Sequence, residues 1–412
     1  MRHLIRSLPP AVSAPAMFVL LALLAALAPT PVAAQDSNFA LSGTPPPSPA
    51  AAWTFTPSIL YQGSRDDNVL LRTRGDQAPG DFLNLVNPKA TLNFTGRRSQ
   101  VDLSYDGAFL FYQQLGDLNS FEQHASLNAR RAISRRVTLF VTDTAAAVPT
   151  TELVQFIAVP FIRTGSELND LRSGLDVMLT KHTSMKVGYD FEWVSFQHDT
   201  PFARHLRGGH SHGGTFELRH GISPKTTVLA DYHVSHAIIA NNDTFDVQDA
   251  DLGVAYQVTD ATRVYAAGGV ARVAVSDFGP ARNGPAVRAG ISRLNHRVAV
   301  DVTYSRSFVP AFAFGGTYQN EEIAGFVRVP ISQRLYTHSS VAWRRNESLG
   351  GEFVNLTSLW TEAILGFAVQ RWVRLEVFYS GSHQSAADIP GGVQGRNRIG
   401  FQIVAVKPLR VR

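Results

Sequence analysis

The chain of 412 residues has no cysteine, so neither a disulfide nor a thiolate metal site is open to it. Charge is scarce as well, at 17% of residues, where a soluble protein carries about 25%. Beyond residue 34 there is no run of about 18 apolar residues, which excludes a membrane-spanning helix. No motif recurs at a fixed period, as it would in a propeller or a β-helix. The first 34 residues hold no acid and two arginines, so their removal lowers the formal charge from +5 to +3. That excess is too small to point to nucleic acid or an acidic partner.

What is present begins with a secretory signal. Arg2, His3 and Arg6 form a positive start, and an apolar stretch follows from Ala16 to Leu27. Val32, Ala33 and Ala34 then place small residues before Gln35. The apolar stretch is too short to span a bilayer comfortably. Residues 1–34 are read as a signal peptide and 35–52 as a Pro/Ala-rich periplasmic lead-in around Pro45-Pro46-Pro47, too short for a folded plug.

From Trp53 onward one pattern repeats. Segments of about ten residues alternate apolar with polar. Val298, Val300, Val302 and Tyr304 interleave with Ala299, Asp301, Thr303 and Ser305. Val373, Leu375, Val377 and Tyr379 interleave with Arg374, Glu376, Phe378 and Ser380. Short connections such as Ile133-Ser134-Arg135-Arg136 alternate with longer Gly-, Asp-, Asn- and Pro-containing ones near 64–81, 147–165, 198–211 and 383–394. Short turns on one rim and long loops on the other mark an outer-membrane barrel. The expected fold is therefore all-β: a transmembrane, antiparallel, up-and-down β-barrel over 53–412. About 18 strands are expected; the segments near 121–131, 166–179 and 284–293 are the weakest, which leaves 16 as the alternative. An even count puts both termini on the periplasmic side.

A charge facing lipid at mid-bilayer costs about 2–4 kcal/mol, so charges should keep to the lumen parity. Asp102, Asp106, Asp190, Glu217, Arg219, Asp231, Arg288, Asp301, Arg374 and Glu376 all alternate with apolar neighbours in this way. Asp102, Asp190, Asp231, Arg288, Asp301, Arg374 and Glu376 are the expected lumen-lining set. Both signs lie on neighbouring strands, which predicts a weakly selective pore. Tyr304, Tyr379 and Trp193 each stand six residues past the first apolar residue of their segment, consistent with an aromatic girdle.

Three features invite a chemical reading. His233 and Ser235, like His338 and Ser340, share a strand face and could pair as base and nucleophile. They fall on the lumen parity, whereas a lipid substrate would arrive from outside. His205, His210 and His212 flank Gly208-Gly209, but no carboxylate stands among them, and they read as a polar loop. Arg65-Asp66-Asp67-Asn68 lacks the spacing of a calcium loop and reads as a loop tip. No catalytic, cofactor-binding or metal site is assigned.

Residues 53–145 carry a resemblance. Thr56-Pro57-Ser58, Asp67-Asn68-Val69, Asp81-Phe82, Pro88, Gly96-Arg97-Arg98 and Leu103-Ser104-Tyr105-Asp106 resemble the opening of β-barrel porin family 2 of Gram-negative bacteria. The resemblance implies a porin-like outer-membrane protein serving exopolysaccharide or capsule export, and it brings no catalytic residues. Arg398, Gly400, Ile403 and Ala405 resemble the terminal signal read by the barrel-assembly machinery. The tail Lys407–Arg412 runs past that signal, which leaves the end of the last strand open. The expected partners are outer-membrane lipid, the assembly machinery, and a polysaccharide or small hydrophilic solutes. A non-conducting scaffold or a barrel hydrolase is the alternative.

Overall fold

A computed structural model describes residues 52–72, 79–150, 163–197, 206–239, 243–275, 281–295, 297–310, 312, 317–349, 355–386 and 393–411. They form eighteen antiparallel strands, each paired with the next in sequence, and the last paired with the first. The strands are β1 (Ala52–Asp66), β2 (Asp81–Thr95), β3 (Ser99–Tyr112), β4 (Ser120–Ala132), β5 (Val137–Val148) and β6 (Ser166–Met178). Next come β7 (Thr183–Phe196), β8 (Gly209–Gly221), β9 (Thr226–Ile239), β10 (Asp243–Thr259), β11 (Thr262–Val275) and β12 (Arg282–Leu294). The circle is completed by β13 (Ala299–Pro310), β14 (Thr317–Pro330), β15 (Leu335–Ser348), β16 (Leu356–Gln370), β17 (Val373–Ala386) and β18 (Val393–Val406). The three weak segments all form strands, β4, β6 and β12, and the count is 18 rather than 16.

The end of the last strand also resolves. Pairing of β18 with β1 breaks at Lys407-Pro408 and resumes in the same register as β19 (Leu409–Val411), with Val411 opposite Trp53. Pro57 and Pro408 meet at the break, and neither has an N–H to give the ladder; the Lys407 N–H instead donates to the Pro57 carbonyl at 3.2 Å.

One turn chemistry recurs on the short-connection rim. The side-chain oxygen of Ser134, Thr180, Ser223, Asn295 or Ser332 accepts from the backbone N–H groups two and three residues on. Such side-chain capture closes a tight turn without glycine. Just before each stands an exposed apolar residue, Ile133, Leu179, Ile222, Leu294 or Ile331. Of the eight short turns, all except Thr259–Thr262 carry Lys or Arg: Arg97, Arg98, Arg135, Arg136, Lys181, Lys225, Arg297, Arg334 and Arg371. Both chain ends of the barrel lie on this rim.

The outer surface is a belt of exposed Leu, Ile, Val, Phe and Tyr side chains, among them Leu252, Val377, Ile399, Leu103 and Phe401. Water would not tolerate so continuous an apolar band, whereas hydrocarbon requires it. The chain is an outer-membrane β-barrel. Five outward tyrosines repeat one arrangement. Tyr61, Tyr105, Tyr189, Tyr304 and Tyr379 reach a polar side chain on the following strand, two positions past the cross-strand partner. Their hydroxyls bond Asn84 (2.8 Å), Gln123 (3.0 Å), His212 (2.6 Å), Glu321 (3.1 Å) and Asn397 (2.8 Å). The ring thus marks where the belt ends and polar surface begins. Tyr304 and Tyr379, expected in a girdle, belong to it, and Trp193 points outward one turn of pleat higher than Phe191.

Candidate functional site in the barrel lumen

Side chains on the opposite parity meet across strands that are not neighbours. Arg288 of β12 reaches Asp251 of β10 (2.7 Å) and Asp231 of β9 (3.4 Å). Strands three places apart can be bridged in this way only on the concave side of the sheet, which fixes this parity as the lumen. All seven expected lining residues, Asp102, Asp190, Asp231, Arg288, Asp301, Arg374 and Glu376, lie on it.

They do not form one cluster. Asp102 accepts from Asn93 (2.6 Å) and Gln100 (2.9 Å) near the periplasmic end of β3. Asp190 accepts from Thr215 (2.6 Å) and lies 3.8 Å from His233, whose other ring nitrogen is 3.7 Å from Asp249. Glu217, Asp231 and Asp251 stand directly opposite one another on β8, β9 and β10. Like charges so placed repel; Arg288 relieves two of them and Arg219 pairs with Glu217 at 2.5 Å. Glu376 receives Tyr336 and Gln402, with Arg374 4.0 Å away. Tyr336 reaches Glu376 across the whole width of β16 because Gly366 lies beneath its ring; a Cβ there would sit 2.3 Å from the ring.

Asp301 is different: it has no hydrogen-bonded or ionic partner among the described residues. It lies at one end of a cavity of about 190 Å³ in the inner wall, with Thr303, Ala324, Phe326, Ser340 and Trp360. The small Ala324 and Ala342 make the hollow. Trp53, Trp193 and Trp343 are on the outer parity and Trp372 is in a turn, so Trp360 is the one tryptophan facing inward.

The inner wall along β4 and β5 remains open to solvent. Ser126, Arg130, Thr142 and Thr144 point inward from β4 and β5 and are exposed. Towards the extracellular end the inner wall is covered instead. Leu206 and Phe312 pack on Val194, Phe196, Ala237, Ile239 and Phe245, and Val69, Leu115 and Leu118 pack around Leu83, Ala108, Leu110 and Tyr112. Arg163 lies 5.2 Å over the Tyr112 ring and donates to the Leu118 carbonyl at 2.7 Å. The long connection 147–165 thus ends over β3, three strands from the β6 that it enters; its residues 151–162 lie outside the described residues.

Three readings from sequence need correction. Charge parity is not strict: Asp143 of β5 points outward, between Leu127 and Leu171 on the flanking strands. The Asp66-Asp67-Asn68 stretch is not a loop tip. Asp66 ends β1 fully buried and pairs with Arg396, itself 3% exposed, on the closing strand (Nε to Oδ2 2.9 Å). Asp67 grips the Asn397 N–H (2.6 Å) and amide (2.7 Å), and Asn68 donates to the Gly395 carbonyl (2.9 Å). The histidine group is not in a loop either. His210 and His212 are on β8, outward, and His205 lies outside the described residues. His233 and Ser235 do share the lumen face, but no hydrogen bond joins them among the described residues.

Compared with known proteins, the chain matches no protein-family model and no curated protein sequence. Its fold is similar to solved structures of Pseudomonas aeruginosa OccK7 (OpdD), at 12% identity and a TM-score of 0.44, covering 88% of this chain and 99% of that one. It is similar to P. aeruginosa OccK5 (OpdH), at 11% and 0.44 with 88% and 99% covered. Acinetobacter baumannii OccAB4 gives 9% and 0.43, again with 88% and 99% covered. Likeness at this distance concerns architecture and transfers no residue roles.

Proposed function

We propose that this barrel is a water-filled channel of the outer membrane. Solvent exposure of inward-facing Ser126, Arg130, Thr142 and Thr144 carries the reading. A barrel of eight strands fills its own interior, whereas about 16–18 strands leave an aqueous passage. The traffic we assign is a polysaccharide or small hydrophilic solutes. Support comes from the resemblance of residues 53–145 and from the Trp360 hollow. There Phe326 and Trp360 present flat apolar faces to the C–H face of a sugar ring, and Asp301, Thr303 and Ser340 offer hydrogen-bonding groups to its hydroxyls.

Planar-bilayer recording tests the channel. Stable ohmic steps are expected. A silent barrel whose deletion alters the capsule would replace the channel with a scaffold, and lipid hydrolysis lost on Ser235→Ala would replace it with an enzyme. Trp360→Ala should weaken block of the current by a neutral oligosaccharide while leaving the open conductance intact.

Selectivity follows from the wall charges. Interleaved signs screen one another beyond about 8 Å in physiological salt, so the cation-to-anion permeability ratio should stay within about tenfold. Arg288→Ala leaves Glu217, Asp231 and Asp251 facing each other with one guanidinium fewer, and reversal potentials should move towards cation preference. An unchanged reversal potential would mean that ions do not pass near β8–β12.

A further inference from the structure

The ring of outward tyrosines has a sixth member of different chemistry. In the β5–β6 hairpin, Asp143 stands six residues above the start of its strand, as do Tyr105, Tyr189 and Tyr379. It makes the same diagonal contact, accepting from Asn169 at 2.7 Å, with Asn169 two positions past the cross-strand partner Leu171. A tyrosine at this place carries its polar atom up a ring's length to the edge of the apolar belt. An aspartate ends close to its own backbone, inside the belt. Arg131 and Arg293 also face outward, but each stands one residue from the turn end of its strand, and Arg306 lies opposite Glu321 at the level of the tyrosine contacts, whereas Asp143 stands well inside the belt. Leu127 and Leu171 flank it directly, and beyond them the wall is low. Ala125, Ala145, Ala147 and Ser173 take outward positions where other faces carry Leu103, Phe109 or Tyr232.

From these observations we infer that the β4–β6 face is an interface between two copies of this chain, related by a two-fold axis beside Asp143 and Asn169. Lipid tails offer nothing to a carboxylate and an amide, so the pair is left with free hydrogen-bonding capacity in hydrocarbon. Asp143 Oδ2 and the second N–H of Asn169 have no partner among the described residues. A two-fold axis presents each patch to itself. It would therefore place the spare Asn169 donor of each copy against the spare Asp143 acceptor of the other, closing a ring of four side chains. Small residues around a polar pair are also what allow two membrane-embedded walls to approach closely.

The absence of cysteine makes the test direct. Ala145→Cys, full-length and in outer membranes, is oxidised with copper phenanthroline and run unreduced. Ala266→Cys, outward on β11, is the control. Heat-modifiable mobility reports that each variant is folded, and this readout does not depend on whether the barrel conducts. A covalent dimer of this chain is expected from Ala145→Cys and not from Ala266→Cys. Its yield should fall about tenfold when Asp143→Leu and Asn169→Leu are added, and Asp143→Tyr, which restores the tyrosine ring, should lower it as well. Folded Ala145→Cys without a dimer would overturn the inference. So would equal yields from the two cysteine sites, a yield indifferent to the leucines, or cross-linking to a different protein.

Discussion

Asp66→Ala is expected to weaken the barrel at its closing seam by about 3–5 kcal/mol, the range for removing one partner of a buried ion pair. Both members are almost fully enclosed, at 0% and 3% exposure, so the remaining Arg396 guanidinium has no water to replace the lost carboxylate. Arg396→Ala should cost a similar amount for the mirror reason. The double variant should cost less than the two singles together, because each single removes the same pair and leaves one buried charge. The temperature at which the folded, fast-migrating form disappears on gels, together with a urea midpoint, reads the effect. If Asp66→Ala unfolds where the wild type does, the pair is solvated in the membrane-inserted protein. The neighbouring Asp67–Asn397 and Asn68–Gly395 contacts remain in these variants, so partial seam closure and a shifted rather than lost transition are expected.

Val302→Arg should impair assembly, whereas Thr303→Arg, one residue along, should be tolerated. Val302 pairs with Ile291 and Gly325 on the outer face, and Thr303 lies in the lumen wall beside the Trp360 hollow. Arginine near the bilayer midplane costs about 2–4 kcal/mol on the lipid side, while the lumen side has water for it. Comparable amounts of heat-modifiable protein from both variants would reverse the assignment of faces.

The architecture was readable in the sequence because side-chain direction in a strand has a period of two, and lipid on one side makes that period visible. Val298–Ser305 and Val373–Ser380 show it without any knowledge of partners. Strand number followed from the same signal, and only β4, β6 and β12, where small and polar residues dilute the outer face, left it open. What escaped depends on pairing between distant segments. Asp66 and Arg396 are 330 positions apart, and nothing local marks Asp66-Asp67-Asn68 as a seam rather than a loop. Asp143 lies in Val-Thr-Asp-Thr-Ala, where Thr and Ala fit either face, so its outward direction emerges only from pairing with Leu127 and Leu171. Parity picks out the expected lumen residues one at a time. Their grouping, such as Arg288 with Asp231 and Asp251 but Asp301 alone, depends on barrel curvature, which a linear sequence does not display.

The basic short turns have an electrical consequence. Seven of the eight together carry nine Lys and Arg on one rim, while the whole sequence has a net charge of only +5, so the rest of the chain is net negative. A pore with unlike mouths behaves as a diode at low ionic strength. Anions gather at the periplasmic entrance and cations at the other, and the resistance then depends on the direction of the applied voltage. The asymmetry should fade as salt rises and the Debye length falls from about 30 Å at 0.01 M to about 3 Å at 1 M. The same rectification would assign an orientation to every barrel inserted in a planar bilayer.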